Sequence, residues 1–207
     1  MKKIAYILGI ICAMTMQSCL DLEPKTQLAD TNYWKSPEHF KLFATQFYGW
    51  SADFRWLDDS QHADIRSDLF AGSTVNIYSN GTNSIPSSDK HYTDNYNRIR
   101  QVNTLLQQAD AYEQQADIAI SVGEARFFRA YCYFNLVRAF GEVPLVTFKV
   151  NDASEANVPK TTAEEIYKQI DSDLTQAEGL LPRQWQSAYL GRLTWGSARA
   201  LHARTYM

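Results

Sequence analysis

Cysteine is scarce in this sequence, and its distribution excludes a disulfide-stabilised fold. Of the 3 cysteines in 207 residues, Cys12 and Cys19 lie in or beside an apolar segment at the N-terminus. Cys132 then remains alone in the body of the chain, so no internal disulfide can form there. Its apolar surroundings predict a small buried core residue rather than a reactive thiol. The fold must therefore be stabilised by packing alone.

The sequence also lacks the signatures of common catalytic, metal and cofactor sites. It contains no Gly-x-Ser-x-Gly, no phosphate-binding loop and no dinucleotide fingerprint. Its 4 histidines show no metal-ligand spacing. The acidic residues between positions 58 and 68 lack the alternation and the central glycine of a calcium-binding EF-hand loop. We predict that the chain is not an enzyme and that it binds no metal and no cofactor.

The longest apolar run, residues 4–16, is shorter than the roughly 20 residues that a helix needs to cross a bilayer. It follows two lysines and precedes Ser18-Cys19, which is the layout of a secretory signal. The small residue before a cysteine resembles the processing site of bacterial lipoproteins. We predict that residues 1–18 are a lipoprotein signal peptide and that Cys19, acylated by fatty acids such as palmitate, anchors the mature protein to a membrane. Simple secretion and an uncleaved anchor are the alternatives.

Charge and length describe a mildly acidic mature chain with one domain. The net charge is −3, and removal of the signal peptide takes away two lysines and no acid, which leaves about −5. A weakly acidic chain without basic runs is a poor match for nucleic acid as a partner. Residues 19–35 read as an extended leader. Residues 36–207 are long enough to form one sizeable core.

Apolar residues at helical spacing predict an all-α domain of five helices without a strand-rich region. The first helix begins at residues 36–38, where the capping hydroxyl of Ser36 precedes a proline at the first helical position. A capping box at Thr162 opens the fourth helix, and Thr194 caps the fifth. The apolar face of the first helix runs through Tyr48, and the other helices cover residues 92–112, 115–140, 163–181 and 195–207.

Four polar side chains on the second and third helices carry separate predictions. Asn103 lies on the apolar stripe of the second helix, so we expect it to satisfy a buried backbone group. Arg126, Arg129 and Arg138 belong to a third helix that is aromatic nearly all round. We expect these arginines to pair with acids of adjacent helices rather than to bind anions.

Residues 53–90 interrupt the helical pattern with a long segment rich in Asp, Ser, Asn, Gly and Thr. Loops of this length in compact domains are usually functional or disordered, and the scattered aromatic residues favour a functional loop. Aromatic rings in such a loop can stack on the apolar faces of sugars, while polar side chains bind the sugar hydroxyls. The candidate ligand-binding residues are Trp56 and Tyr78 as stacking platforms and Asp58, Asp64, Arg66, Asn76 and Asn80 as polar partners. In the alternative interpretation, Trp56 anchors the loop on the helices.

A short pattern in the third helix recurs 73 residues later in the fifth. The identical pairs are Gly123/Gly196, Ala125/Ala198, Arg126/Arg199, Ala130/Ala203 and Tyr133/Tyr206. Each copy follows a helix in which a tyrosine lies three residues before an isoleucine, so the repeated unit is a helical hairpin. Its glycine and alanines would let neighbouring helices approach closely, and in this respect it resembles a tetratricopeptide repeat.

Segments along the whole mature chain resemble proteins of the SusD/RagB family. The resembling segments are residues 19–24, 33–36, 96–103, 123–146 and 193–204. The longest of them contains a helix, its glycine stop and a Val-Pro-Leu exit. Family members are more than twice as long as this chain, so the resemblance implies an N-terminal fragment. We therefore expect Leu201, Tyr206 and Met207 to be exposed.

The resemblance implies a tetratricopeptide-like helical fold and a role in nutrient uptake. Proteins of this family are lipoproteins on the external face of the outer membrane. They cover a SusC-like TonB-dependent transporter, capture oligosaccharides for import and do not cleave them. Their repeat helices contact the transporter, and the loops opposite, which include the stretch matching residues 53–90, carry the ligand. The alternative is a helical-repeat lipoprotein that binds a protein or peptide and no glycan.

Overall fold

The computed structural model describes residues 33–50, 88–152 and 154–207. The predicted signal peptide, the leader up to residue 32 and residues 51–87 of the predicted loop lie outside these ranges. The lipidation site Cys19 and every candidate sugar-binding residue of the loop therefore stay predictions.

The chain divides into two compact units, residues 1–35 and 36–207. In the described part of the first unit, the Lys35 N–H donates to the Tyr33 carbonyl oxygen at 3.0 Å. The helices and strands described below belong to the second unit.

Helices dominate the described residues of the second unit. The α-helices are α1 (Pro37–Thr45), α2 (Lys90–Asp110), α3 (Gln115–Phe140), α4 (Ala163–Leu180) and α5 (Trp195–Thr205). Short 3-10 helices span Gln46–Trp50 and Ser187–Tyr189, and two short antiparallel strands, β1 (Val143–Pro144) and β2 (Lys160–Thr161), pair Val143 with Thr161. In this part of the chain no helix has both the length and the apolar character needed to cross a membrane. The prediction of an all-α fold is confirmed.

The starts of α4 and α5 follow the capping pattern of the sequence. The Thr162 hydroxyl accepts the Glu165 backbone N–H at 3.3 Å. The Thr194 hydroxyl accepts the Ser197 N–H at 3.3 Å, and the Ser197 hydroxyl accepts the Thr194 N–H at the same distance. Both residues are therefore confirmed as N-caps. The full capping box predicted at Thr162 is not formed, because the Glu165 carboxylate accepts the Thr162 hydroxyl at 3.0 Å instead of the Thr162 backbone N–H. A third cap, Asp89 at the start of α2, was not predicted from the sequence.

The first helix begins where predicted, at Ser36 and Pro37, but its capping bond and its C-terminal end depart from the prediction. The predicted capping hydroxyl of Ser36 is wrong, because its side chain makes no capping hydrogen bond. The Ser36 carbonyl oxygen instead accepts the His39 N–H at 3.1 Å, so the first turn closes through the backbone. At the other end, α1 stops at Thr45 and tightens into a 3-10 helix that contains Gly49. Glycine disfavours a regular α-helix, which explains why the predicted apolar face does not continue as one element.

The central helix is α3, which packs against α1, α2 and α4. Cys132 on this helix is 0% exposed, and burial raises the pKa of its thiol to about 12. The prediction of an inert core cysteine is confirmed. Among the described residues, one core cluster around α3 contains Ile99, Ala130, Cys132, Tyr133, Phe134, Leu136, Val137, Val143, Ile166, Ile170 and Leu174.

The two copies of the internal repeat have different surroundings. A Cβ atom placed on Gly123 of α3 would lie 2.9 Å from the Leu180 Cβ atom, so the glycine permits the close contact with α4. The equivalent Gly196 has no atom of another element that near, since a Cβ there would first meet Thr194 Oγ1 at 3.6 Å. Tyr206 is 75% exposed, whereas its counterpart Tyr133 is fully buried. The glycine position therefore makes a close interhelical contact in the first copy alone, whereas Ala198 of the second copy is as fully buried as Ala125 of the first.

The predicted exposure at the end of α5 is confirmed for two of three residues. Tyr206 and Met207 are exposed. Leu201 is partly buried and packs against the core, because it faces α4 rather than the outer side of α5.

Candidate functional site

A groove of about 520 Å³ lies between α2 and the segment that follows β1. Its lining is formed by Tyr92, Tyr96, Asn97, Ile99, Arg100, Pro144, Val146, Phe148, Val150, Asn151, Asp152 and Ala156. The volume lies within the range of about 300–1,000 Å³ that is typical of small-molecule sites. This groove is the candidate functional site within the described part of the chain.

Tyrosines one helical turn apart form the α2 side of the groove. The ring centroids of Tyr92 and Tyr96 are 4.8 Å apart, and Tyr92 also meets Phe140 edge to face at 5.2 Å. The Tyr96 hydroxyl donates to the Pro144 carbonyl oxygen at 2.6 Å, which joins the helix to the opposite wall. Burial raises the pKa of Tyr96, so the hydroxyl stays protonated and keeps this bond.

The opposite wall is an extended segment whose apolar residues alternate. Pro144, Val146, Phe148 and Val150 all line the groove, as expected for one face of an extended chain. Phe148 is 45% exposed, so its ring is open to a ligand.

Side chains from α2 and α3 fix the backbone of this wall. The Asn103 side-chain amide donates to the carbonyl oxygens of Val146 and Phe148, both at 2.9 Å. The Tyr133 hydroxyl donates to the Val146 carbonyl oxygen at 2.9 Å and accepts the Val146 N–H at 2.7 Å. The prediction that Asn103 satisfies buried backbone groups is confirmed. These bonds satisfy backbone groups of the wall that would pair with a neighbouring strand in a sheet.

A buried ionic network stands behind Asn103. Arg129 donates to Asn103 Oδ1 at 2.9 Å and to both carboxylate oxygens of Asp173, at 2.8 and 2.7 Å. It also donates to the Thr147 carbonyl oxygen at 3.3 Å. Asp173 is 0% exposed and accepts a further bond from Arg126 at 3.0 Å. The predicted pairing of Arg126 and Arg129 with an acid of a neighbouring helix is confirmed.

The same prediction for Arg138 is wrong. In the described residues its guanidinium has no acidic partner and instead lies over the Phe134 ring, 5.2 Å from the centroid. Arg138 is in the last turn of α3, where a cation also interacts favourably with the helix dipole, so it needs no carboxylate.

A turn centred on Asp152 closes the far end of the groove. Asp152 Oδ1 accepts the Ser154 hydroxyl at 2.5 Å, the Ser154 N–H at 2.7 Å and the Glu155 N–H at 3.3 Å. The hydrogen bond from the Ser154 hydroxyl, followed by the backbone bonds, lowers the pKa of Asp152. The carboxylate is therefore an anion at neutral pH. The Asn151 backbone N–H in turn donates to the Glu155 carboxylate at 2.8 Å.

Polar groups on both rims of the groove are available to a ligand. Asn97 and Arg100 lie one turn apart on α2, both are exposed, and neither side chain has a hydrogen-bond or ionic partner among the described residues. On the other side, all three bonds to Asp152 go to Oδ1, which leaves Oδ2 without a partner in the same part of the chain. The groove thus offers free donors on one rim and a free acceptor on the other.

A second buried ion pair, away from the groove, ties α3 and the 3-10 helix after α1 to the connection before α5. Arg192 binds both carboxylate oxygens of the fully buried Glu124, at 2.9 and 2.6 Å. The Tyr48 hydroxyl donates to Glu124 at 2.6 Å, and burial together with the nearby carboxylate raises the pKa of Tyr48. All of these groups are satisfied by one another, so the cluster is structural.

The residues of the groove were not predicted as a site. Tyr92 and Tyr96 lie on the apolar stripe of α2, which predicts core positions rather than a site, and no motif marks the segment after Pro144 as ligand-binding. The alternation of Val146, Phe148 and Val150 is the one local signal that marks an exposed extended wall. The predicted sugar-binding residues Trp56, Asp58, Asp64, Arg66, Asn76, Tyr78 and Asn80 lie outside the described residues.

Known proteins with similar sequences and folds share one family. A family described as "Starch-binding associating with outer membrane", of SusD-like type, matches residues 19–207. SusD-like protein P2 of Formosa agariphila is 29% identical over 84% of this chain and 37% of its own length. SusD-like protein P38 of the same organism is 26% identical over 78% of this chain and 33% of its own length. The chain thus spans about a third of the length of these curated relatives.

Solved structures agree with the sequence comparisons. A SusD homolog from Bacteroides thetaiotaomicron superimposes with a TM-score of 0.70 at 23% identity, over 88% of this chain and 38% of that one, which is a likeness of fold. A laminarin-binding SusD-like protein is 34% identical over 63% of this chain and 29% of its own, with a TM-score of 0.58. The resemblance inferred from the sequence is confirmed, and this chain belongs to the SusD-like family of starch-binding proteins that associate with the outer membrane.

Proposed function

We propose that this chain acts as an outer-membrane surface lipoprotein that captures oligosaccharides and delivers them to a SusC-like TonB-dependent transporter for import. The observation that carries this proposal is the family match over residues 19–207, the whole of the predicted mature chain. The laminarin-binding relative at 34% identity supports a glucan as ligand. The proposed role is binding and delivery without cleavage.

The proposed anchor is a lipid on Cys19. The family match begins at this residue, which is the first residue of the mature chain if the signal peptide is removed. A lipidated N-terminus would hold the helical domain at the membrane surface, facing outward in the proposed arrangement. Stable anchoring by acyl chains generally needs more than one chain, as bacterial lipoproteins would provide.

The proposed primary glycan site is the loop of residues 53–90. Trp56 and Tyr78 would supply ring faces for stacking, and Asp64, Arg66, Asn76 and Asn80 would bind sugar hydroxyls. This part of the proposal rests on the chemistry of the side chains and on the family resemblance.

Isothermal titration of the full chain with laminarin, soluble starch and a panel of other polysaccharides tests the function. We expect heat with at least one glucan, and weaker binding by the Trp56→Ala and Tyr78→Ala variants. Tyr189→Ala, at an aromatic residue that is 38% exposed on the helical domain, is the matched control and should bind as the wild type does. Absence of heat with every glycan would refute the proposal and favour the alternative of a protein- or peptide-binding lipoprotein.

A further inference from the structure

We propose that the groove between α2 and the Pro144–Asp152 segment is a second carbohydrate subsite, which binds a short stretch of a neutral glucan. The groove is built from residues outside the predicted loop of 53–90. The inference rests on the proposed glycan-binding function, but it assigns sugar contact to a different set of residues.

The shape and the apolar lining fit a sugar ring. Phe148, with nearly half of its surface exposed, stands opposite the tyrosine pair Tyr92 and Tyr96. Sugar rings have C–H faces that pack on aromatic rings, and a cleft with aromatic walls would accept them edge-on or stacked. The volume of about 520 Å³ has room for more than one sugar unit.

The polar groups at the rims fit hydroxyls better than ions. Arg100 and Asn97 on α2 are free donors, and Asp152 Oδ2 is a free acceptor on the opposite rim. A hydroxyl both donates and accepts, so a sugar can bind both rims at once. One cation and one anion also leave the lining without a net charge, which disfavours phosphate or a strongly charged peptide.

The groove is preorganised, so a ligand need not order it. The wall carbonyls of Pro144, Val146 and Phe148 are already bound by side chains of the helices, and the Asp152 turn is closed by its own hydrogen bonds. Binding therefore avoids the cost of ordering the wall, which raises affinity for a weakly interacting ligand. The carbonyl oxygens of Pro144, Val146 and Phe148 are already occupied, which leaves a peptide strand fewer acceptors along this wall.

Titration of the full chain with laminarin and soluble starch, using groove, loop and control variants, tests the inference. The groove variants are Phe148→Ala and Arg100→Ala, both at exposed positions, and the loop variant combines Trp56→Ala with Tyr78→Ala. Tyr189→Ala and Arg204→Ala, the controls, change an exposed aromatic residue and an exposed arginine elsewhere on the helical domain. Hydrogen exchange of residues 144–156, with and without laminarin, reports contact at the groove directly.

We expect each groove variant to weaken glucan binding by roughly tenfold, while both controls bind as the wild type does. Laminarin should also slow exchange in residues 144–156. If the wild type binds glucan but the groove variants bind equally well and exchange is unchanged, the groove inference is overturned and the proposed function stands. If the wild type binds neither glucan, the inference and the glucan-capture proposal both fail. If a peptide mixture slows exchange in residues 144–156 and neither glucan does, the ligand class proposed for the groove is wrong.

Discussion

The contact between Gly123 on α3 and Leu180 on α4 gives the sharpest test of the packing. We consider Gly123→Ala, which adds a single methyl group at a buried position. The new Cβ atom would lie 2.9 Å from the Leu180 Cβ atom and 3.3 Å from Leu181 Cγ. The Leu180 Cβ atom is attached directly to the helix backbone, so it cannot move unless α4 moves.

Two opposing terms set the size of the effect. Alanine in a helix is favoured over glycine by up to about 1 kcal/mol. Overpacking of a tight contact costs about 1–3 kcal/mol. Because 2.9 Å is closer than Cβ atoms normally approach one another, the overpacking cost should lie in the upper part of this range, at about 2–3 kcal/mol. We therefore expect Gly123→Ala to lower the free energy of unfolding by about 1–2 kcal/mol.

The internal repeat supplies the matched control. Gly196→Ala makes the same substitution at the equivalent position of α5, where the nearest atom would be Thr194 Oγ1 at an ordinary 3.6 Å. Here the helix-propensity term acts alone, so we expect unchanged or slightly increased stability. Urea denaturation of the full chain, followed by circular dichroism, measures both variants. If Gly123→Ala is as stable as Gly196→Ala, the close approach of α3 and α4 is refuted.

Three further predictions concern single side chains. Burial alone would lower the pKa of His202, but its hydrogen bonds to Asp171 at 2.7 Å and Glu178 at 2.8 Å outweigh burial and raise it. The contribution of the His202 ion pairs to stability should be complete below the unfolded-state pKa of about 6.5 and be lost as the pH rises through the folded-state pKa. The urea midpoint should therefore fall between pH 6 and pH 9 in the wild type and stay level in His202→Gln. The same pH dependence of the midpoint in both proteins would contradict this. Cys132, whose pKa is raised to about 12 by burial, should resist iodoacetamide at pH 8 unless urea is added, so rapid alkylation of the native chain would show that it is accessible. Cys19→Ala should abolish labelling by radioactive palmitate in bacterial cells, with Cys132→Ser as a labelled control; continued labelling of Cys19→Ala would refute lipidation at that residue.

Much of the helical architecture could be predicted because it depends on local chemistry. The caps at Thr162 and Thr194 and the burial of Cys132 follow from residue type and spacing within one helix. The role of Asn103 was predicted in kind, since a polar residue on an apolar stripe must find a partner. Its actual partners, Val146 and Phe148, are more than forty residues away and could not be identified from local pattern.

Sequence reasoning failed where a competing interaction was available. Ser36 has a capping side chain, but the backbone carbonyl closes the first turn instead. Arg138 has the charge to pair with an acid, but the face of the Phe134 ring and the dipole at the C-terminal end of α3 stabilise that charge instead. The groove was missed because it forms between α2 and a segment that follows α3, and neither contains a recognisable ligand-binding motif by itself.

The wall of the groove is held by its backbone rather than by its side chains. Asn103, Tyr133, Arg129 and Tyr96 all bind main-chain groups of the segment from Pro144 to Phe148. Every residue type carries the same carbonyl group, so Thr147 and Phe148 can be exchanged for other residues without loss of these bonds. The helices thus preserve the path of the segment while its exposed side chains remain free to diversify. A scaffold of this kind allows the surface chemistry of the groove to change between relatives without refolding the domain.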